Sequence, residues 1–350
     1  EAVSGSSGWP VTAVLNPQGE LLYIDSYLEH DELLQLLERY ATLWRDKPAA
    51  LQRSATMIAQ LLKGVNSSQS AGEWQPQTLQ QAEQALLDAL DPQYGGLAGA
   101  QKFPAENALL FMLQRLQQHD GPLDALPLSQ ALRRQLDVMA QSGIYDHLYG
   151  GFHRYATDRR WQVPHYEKML YNQAQLMVVY SRAYSLYGES RYRDLVADIA
   201  AFLRDWMYRP QHGFYSAIDA DYNGHEGDYY LWTQQQLKAL LPNAGDSLNH
   251  YPFEGERVGV LLSDPASKES QQIRERLRQA RAAWPRPHID RKVITAWNAQ
   301  MVWALLEAYR ATGDESLSEW AMVSAERLWA EHFDQTRQLL WRSRYQGEPQ

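Results

Sequence analysis

The chain contains no cysteine in its 350 residues. Disulfides, thiolate metal sites, a cysteine nucleophile and a C-x-x-C redox pair are therefore excluded within it. Basic residues are in deficit: 33 Lys and Arg stand against 42 Asp and Glu, a formal charge of −9. Phosphate-backbone recognition needs a net basic face, so no nucleic-acid partner is expected. No apolar run approaches the roughly 20 residues that cross a bilayer, so no membrane partner is expected either. No signal-peptide pattern opens the chain, and a cytoplasmic location is the expectation. Phenylalanine is scarce as well, with 7 against 12 Trp and 21 Tyr. Amphipathic rings thus outnumber the purely apolar one, as in a polar ligand cleft. A large helical core with Tyr and Trp polar atoms satisfied at its edges has the same composition.

Both ends read as cut. The chain opens inside a small α/β element and closes at 341–350 just after a turn. Residues 11–27 read as two strands around Asn16-Pro17-Gln18-Gly19, followed by a helix opening at Asp31-Glu32 with Leu33, Leu34, Leu36 and Leu37 on its apolar face. From about residue 48 the three- and four-residue apolar period predicts helix after helix: 49–63, 75–90, 105–119, 127–142, 165–187, 190–208, 233–241, 270–284, 293–312 and 315–332. Substantial β-structure is expected only at 11–27 and in a hairpin at 214–232. Between helices a turn recurs, as Asp91-Pro-Gln-Tyr-Gly-Gly96, Asp146-His-Leu-Tyr-Gly-Gly151, Pro210-Gln-His-Gly213 and Asp334-Gln-Thr-Arg-Gln. From Gly96 to Gly151 is 55 residues and from Gly151 to Gly213 is 62. A repeat of that length holds one helical hairpin with its loops, so the chain reads as stacked αα-hairpins whose Gly-rich turns gather at one end.

Three segments carry the chemistry. Residues 143–171 hold His147, His153 and His165 among seven other aromatics, with Asp146, Arg154 and Trp161. Pro164 fits the first position of a helix, which places His165 in its first turn with Glu167 near it. In 213–233, Asn223-Gly224 predicts a two-residue hairpin turn. That register sets Asp221 opposite Glu226 and Asp219 opposite Asp228, four carboxylates on one face. Opposed like charges need an offset: a basic neighbour such as Arg154 or Lys292, a hard cation (Ca²⁺ or Mg²⁺), or one carboxyl with a raised pKa. The bland alternative is a solvent-exposed acidic turn. The third segment places Asp290, Lys292, Trp297 and Asn298 at a helix mouth, where an ordinary helix start with Trp297 in the core also fits. The Gly-rich run Gly95-Gly96-Leu-Ala-Gly99-Ala-Gln-Lys102 lacks phosphate-loop spacing and reads as a structural tight turn.

Several of these stretches resemble one family. Gly-Gly-Leu-Ala-Gly-Ala-Gln-Lys-Phe-Pro (95–104), Ile-Tyr-Asp-His-Leu-x-Gly-Gly-Phe-His-Arg-Tyr (144–155), Trp-x-Val-Pro-His-Tyr-Glu-Lys-Met-Leu-Tyr (161–171), Asp-Ala-Asp-x-x-Gly-x-Glu-Gly-x-Tyr-Tyr-x-Trp-Thr (219–233) and Asp-x-Lys-Val-Ile-Thr-Ala-Trp-Asn (290–298) are similar to the thioredoxin-domain family of spermatogenesis-associated protein 20 and its bacterial relatives. The resemblance implies a mainly α fold: an (α/α) toroid of the six-hairpin glycosidase and epimerase type at 48–350, preceded at 1–47 by the back half of a thioredoxin-like domain. It makes Gly8-Trp9-Pro10 a cis-proline loop. The front half, with the family's cysteine pair, is absent, and the last hairpins of the ring are expected beyond Gln350. The family usually has an acid where Arg291 stands and often a Lys where Asp228 stands.

These readings combine into a carbohydrate-type cleft. Its expected catalytic groups are Asp219, Asp221, Glu226, His153, His165 and Glu167. Its expected substrate contacts are Tyr145, Asp146, His147, Arg154, Trp161, Tyr166, Tyr230, Asp290, Lys292, Trp297 and Asn298. Ring faces stack on aromatics while carboxylates and imidazoles hold hydroxyls, so glycoside hydrolysis and sugar epimerisation both fit. No cofactor or metal is expected. The rival reading is a non-catalytic module that holds a protein or peptide client for a thioredoxin-like partner domain.

Overall fold

A computed structural model describes residues 10–66, 75, 77–242, 248–253, 255–265 and 267–349. They form two compact units that divide between residues 76 and 77. Gly8 and Trp9 of the expected cis-proline loop lie outside the described residues.

The first unit opens with a hairpin of Thr12–Leu15 and Leu21–Asp25. Asn16 closes its turn, since the side-chain oxygen accepts from the backbone N–H of Gln18 and Glu20. Helix α1 (His30–Asp46) follows, started by a capping box between Glu29 and Glu32, and then α2 (Pro48–Asn66). Leu22, Leu51 and Ala55 form the small core, with Tyr40 donating to the Leu22 carbonyl. Leu51 and Ala55 therefore hold α2 on the hairpin, and the packing boundary falls at 76 rather than at 47. Of the expected apolar face of α1 only Leu36 is buried, while Leu34 and Leu37 are exposed.

The second unit contains α3 (Gln77–Ala89), α4 (Glu106–Gln117), α5 (Pro127–Gln141), α6 (Leu170–Tyr187), α7 (Ser190–Phe202), α8 (Gln234–Leu240), α9 (Lys268–Arg281), α10 (Thr295–Thr312) and α11 (Glu315–His332). Its core helices are layered as in an (α/α) toroid. Helices α4, α6 and α10 are side-by-side neighbours, and each carries its own outer partner: α5 on α4, α7 on α6, α11 on α10. A helix covered on both sides needs apolar residues all round. The run Leu176-Met177-Val178-Val179-Tyr180 of α6 is accordingly buried throughout. Ala174 and Ala183 of α6 and Ala304 and Ala308 of α10 are buried as well. No helix among the described residues is long and apolar enough to cross a membrane.

Two expectations need correction. Pro164 does not start a helix: Pro164–His165 pairs with Tyr155–Ala156 as a short antiparallel ladder, and α6 begins only at Leu170. β-Structure is also not confined to 11–27 and 214–232. Trp232–Thr233, Arg257–Leu262 and Leu248–Pro252 form a three-stranded antiparallel sheet. Trp232, Val258, Val260 and Leu262 of this sheet share a core with Leu237 of α8 and with Ile273 and Leu277 of α9.

The recurrent turn is a conserved device within the chain. In the first copy Asp91 accepts from the N–H groups of Gln93 and Tyr94, and the buried Lys102 ammonium reaches its other oxygen at 3.0 Å and the carbonyls of Gly95 and Leu97. In the second, Asp146 accepts from Leu148 and Tyr149, and buried Lys168 reaches it at 2.6 Å and the Gly150 carbonyl at 2.9 Å. Each turn crosses two left-handed residues, Gly95-Gly96 and Gly150-Gly151, where a side chain would be strained. In the fourth, Asp334 accepts from Thr336 and Arg337 in the same way. A helix carboxamide then fixes the residue after the glycine. Gln173 of α6 holds both the N–H and the C=O of Phe152, and Asn298 of α10 holds both those of Phe214.

Candidate functional site

At the start of α6 three two-residue strands align in the order Ile289–Asp290, Ala217–Ile218, Lys168–Met169. Side chains alternate across such a ladder. Lys168, Ile218 and Ile289 share the inward face, on which Lys168 and Ile218 are fully buried, while Met169, Ala217 and Asp290 share the other. Hydrogen bonds from Asp219 N–H to His288 C=O and from Arg154 N–H to Glu167 C=O continue the pattern, bringing Glu167 and Asp219 to this open face.

Much of the aromatic and histidine-rich segment lies behind that face, in the core. Tyr145, Asp146, His147, His153, Trp161, Tyr166 and Tyr230 are all buried. Tyr145 donates to Asp198, Trp161 donates to the Tyr94 carbonyl, and Tyr166 shares a hydrogen bond with Tyr251. His147 lies between the Ser142 carbonyl and the Leu262 N–H, so its Nε2 carries the proton and Nδ1 accepts. Burial pushes its pKa down to about 4. His153 bonds the Tyr166 carbonyl and meets the Tyr166 and Tyr230 rings edge-on. Burial, reinforced by the Lys168 charge, holds it near 3. A histidine so placed stays neutral and is a packing element rather than a proton relay at ordinary pH. Asp146, despite burial, is held at about 2 by Lys168. Asn298 is buried and committed to Phe214.

Four of the groups that remain accessible, Arg154, His165, Glu167 and Glu226, form one connected cluster. His165 Nδ1 lies 2.6 Å from Glu226 Oε1, and its Nε2 lies 3.8 Å from Glu167 Oε2. Arg154 donates to that same Glu167 oxygen at 3.1 Å and is also hydrogen-bonded to Tyr171. The Tyr166 N–H supports Glu226 from the backbone. An ionised carboxylate only accepts, so Glu226 places the His165 proton on Nδ1 and leaves Nε2 as the free base. The hydrogen bond from His165 is the main reason that the Glu226 pKa lies below the ordinary carboxylate range. Two aromatic walls flank the cluster. Phe103, Tyr155 and His165 stack in sequence, with centroids 4.8 and 5.0 Å apart, and half-exposed Phe103 ends the stack. On the other side Trp297 packs on Tyr171 at 5.1 Å. Half-buried Asp290 pairs with Lys292 at 3.0 Å, and that pairing outweighs burial to keep its pKa low.

The acidic ribbon differs from expectation in its partners. Asp221 does pair with Glu226 and Tyr222 with His225. The ladder ends there, so Asp219 does not meet Asp228. Asp228 pairs instead with Arg257, and Glu226 turns to His165. The offset is basic, but it comes from His165 and Arg257 rather than from Arg154 or Lys292, which hold Glu167 and Asp290. Glu226 is thereby lowered, not raised. Asp219 and Asp221 are exposed, and Asp219 caps its own turn by accepting from the Asp221 N–H. Among the described residues no group of three or more His, Cys, Asp or Glu is arranged to hold a metal ion.

Sequence reasoning did not single out Phe103, Tyr155, Tyr171 or Glu106. Glu106 in the first turn of α4 accepts from Asn172, and burial raises its pKa. Its charge is felt at Tyr171. The signal available for Tyr155 was its pairing with His165, which the helical reading of Pro164 concealed.

No family model matches the chain. In an alignment 403 positions long it is 31% identical to human spermatogenesis-associated protein 20, covering 99% of this chain and 51% of the human protein. The chain thus spans about half the length of the curated relatives it matches. Among solved structures it is similar to a family 76 glycoside hydrolase from a bovine Bacteroides thetaiotaomicron strain, with 14% identity, a TM-score of 0.41, and coverage of 69% of this chain and 39% of that one. A sugar epimerase from a ruminal bacterium gives 17% identity and a TM-score of 0.35, covering 79% of this chain and 76% of that one.

Proposed function

From the premise that the chain is a member of the spermatogenesis-associated protein 20 family, over the half of that protein that it spans, we propose that its helical unit binds a carbohydrate and performs acid–base chemistry on it, as a glycosidase or an epimerase does. The observation that carries this reading is the His165 imidazole. It is accessible, oriented by Glu226 through Nδ1, and presents Nε2 toward Glu167 across a gap too long for a hydrogen bond. A sugar hydroxyl or C–H placed there would meet a base with a fixed tautomer. Phe103 and Tyr155 on one side and Trp297 on the other offer the flat apolar faces that pyranose rings stack against, while Arg154, Asp290 and Lys292 supply hydroxyl partners. Glu226 is held ionised by His165, while burial raises Glu106, whose charge acts on Tyr171. That division suits one base-orienting and one proton-donating group. His153, Tyr145 and the other buried members of the expected cleft support this face from behind.

The test is a panel of mono- and disaccharides screened by thermal shift and by product analysis, because a ligand of the native state raises its melting temperature. A wild-type response is expected to survive His165→Gln as binding while turnover falls on the order of 100-fold. Glu226→Gln should free the His165 tautomer and lower turnover by a similar factor. The Glu226 pKa is depressed, so the pair is intact above the ordinary carboxylate range and comes apart as the pH falls through the lowered value. The stability that this pair contributes should decline in that acid window, read as melting temperature against pH. A panel with no response, or a His165→Gln protein with unchanged turnover, rejects the reading.

A further inference from the structure

A second polar recess lies beside the strand Val293–Ile294 and shares no residue with the His165 cluster. Its volume is about 90 Å³, several times what one ordered water needs on that measure. That is room for a tetrahedral oxyanion. Its walls include Arg291, Arg344, His212, Tyr215 and Glu331.

Only part of the donor capacity in these walls is consumed by the protein. Arg344 gives its two terminal nitrogens to the carbonyls of Glu331 and Gly347, which leaves Nε buried without a partner. Its guanidinium nevertheless keeps its positive charge at the wall of the recess. Arg291 is exposed and makes neither an ion pair nor a side-chain hydrogen bond among the described residues. Its chain neighbours point elsewhere, Asp290 and Lys292 being paired with each other. Buried Tyr215 stacks on His212. The one acid in the lining, Glu331, is already matched by Arg327 at 3.0 Å. The balance of the recess is therefore cationic in a chain whose net charge is −9, which sets it apart from a general surface field.

We propose that this recess is an oxyanion site that takes phosphate, free or as the phosphate group of a small molecule, through Arg291 and Tyr215 beside the positive charge of Arg344. Guanidinium groups suit such a guest because their N–H donors match its oxygens in direction as well as charge. The site stands independently of the carbohydrate reading.

Sodium phosphate titrated into the protein by calorimetry, with sodium chloride at equal ionic strength as the reference, tests it. Phosphate should bind and raise the melting temperature where chloride does not. Arg291→Gln, which removes an exposed and unpaired side chain, should leave the fold intact and weaken phosphate on the order of tenfold or more. Arg344→Gln releases the carbonyls of Glu331 and Gly347 and can fail to fold, so Tyr215→Phe is the second variant, also expected to weaken phosphate. Glucose 6-phosphate binding more tightly than phosphate identifies a phosphorylated ligand, and equal binding identifies the free anion; both support the site. A phosphate response no greater than that of chloride, or one unchanged in both Arg291→Gln and Tyr215→Phe, overturns it.

Discussion

Replacing Lys168 with methionine is expected to cost about 3–5 kcal/mol of unfolding free energy, the usual loss when one partner of a buried ion pair is removed. Asp146 would be left buried with only the N–H groups of Leu148 and Tyr149 on one of its oxygens. Methionine fills similar space beside the Phe202 and Tyr230 rings that now flank the ammonium, so the loss reports the stranded charge and not a void. The sister substitution Lys102→Met should cost clearly less. Asp91 keeps a second cation there, since Arg159 reaches it from Nε at 2.7 Å and from Nη2 at 3.2 Å. Urea unfolding of both variants checks the order, and a Lys168→Met protein no less stable than Lys102→Met would refute it. The same pair predicts an acid limb. Asp146 titrates at about 2 in the fold against an ordinary 3.8, so its stabilisation is present above about pH 4 and is lost as the pH falls toward 2. The Lys168→Met protein, having lost that pairing, should show a shallower decline over this window.

Gly143→Ala should be the most damaging single-carbon change in the second unit. An added Cβ would lie 1.8 Å from the Gln162 carbonyl oxygen and 2.8 Å from the Tyr251 ring. The closest obstacle is backbone, so no rotamer change relieves it. The 161–163 segment would have to move, taking with it Trp161, which already sits at a φ of +65° and whose ring fills the space against Gly96. A loss of at least about 3 kcal/mol is expected, of the size seen when cores are overpacked or strained. Gly313→Ala is the control. It ends α10 at a φ of +75° with nothing within 4 Å of an added Cβ, so only the left-handed conformation is penalised, by about 1 kcal/mol. Equal melting temperatures for the two variants would show that the backbone at 162 yields freely.

The helical array was legible because its signals are local. Apolar residues at three- and four-residue steps placed α4, α5, α10 and α11 within two or three residues of their ends. The Asn223-Gly224 turn likewise set Asp221 against Glu226. What escaped depended on long-range pairing. The run Val258-Gly259-Val260-Leu261-Leu262 is a strand only because Leu248–Pro252 and Trp232 lie beside it, and Gly259 is needed there because Tyr251 leans over it. Pro164 satisfies the rules for a first helical residue, and nothing nearby announces that Ala156 will pair with it. The site followed the same division. His165, Glu167, Glu226 and Arg154 were foreseen and do converge. Tyr145, His147, His153 and Trp161 were foreseen too, but an aromatic-rich segment has the same composition whether it lines a cleft or packs beneath one. Burial, which separates the two, is a property of the whole chain.

The carboxamide clamps have a consequence for how the chain tolerates growth. Gln173 follows the Phe152 it holds by 21 residues, whereas Asn298 follows Phe214 by 84. The longer interval contains α8, α9 and the three-stranded sheet, a group with its own core. Both clamps nevertheless close with the same two hydrogen bonds, because each reads only one residue's backbone at one end and one helix position at the other. The intervening length is invisible to it. A module could therefore be accommodated in the third repeat without disturbing the register of the inner helices, much as an added storey leaves a bolted frame square. It is tied to the rest of the unit through Leu148, the His147–Leu262 hydrogen bond and the Tyr166–Tyr251 hydrogen bond, so this interval is where the architecture can change in size while both clamps stay closed.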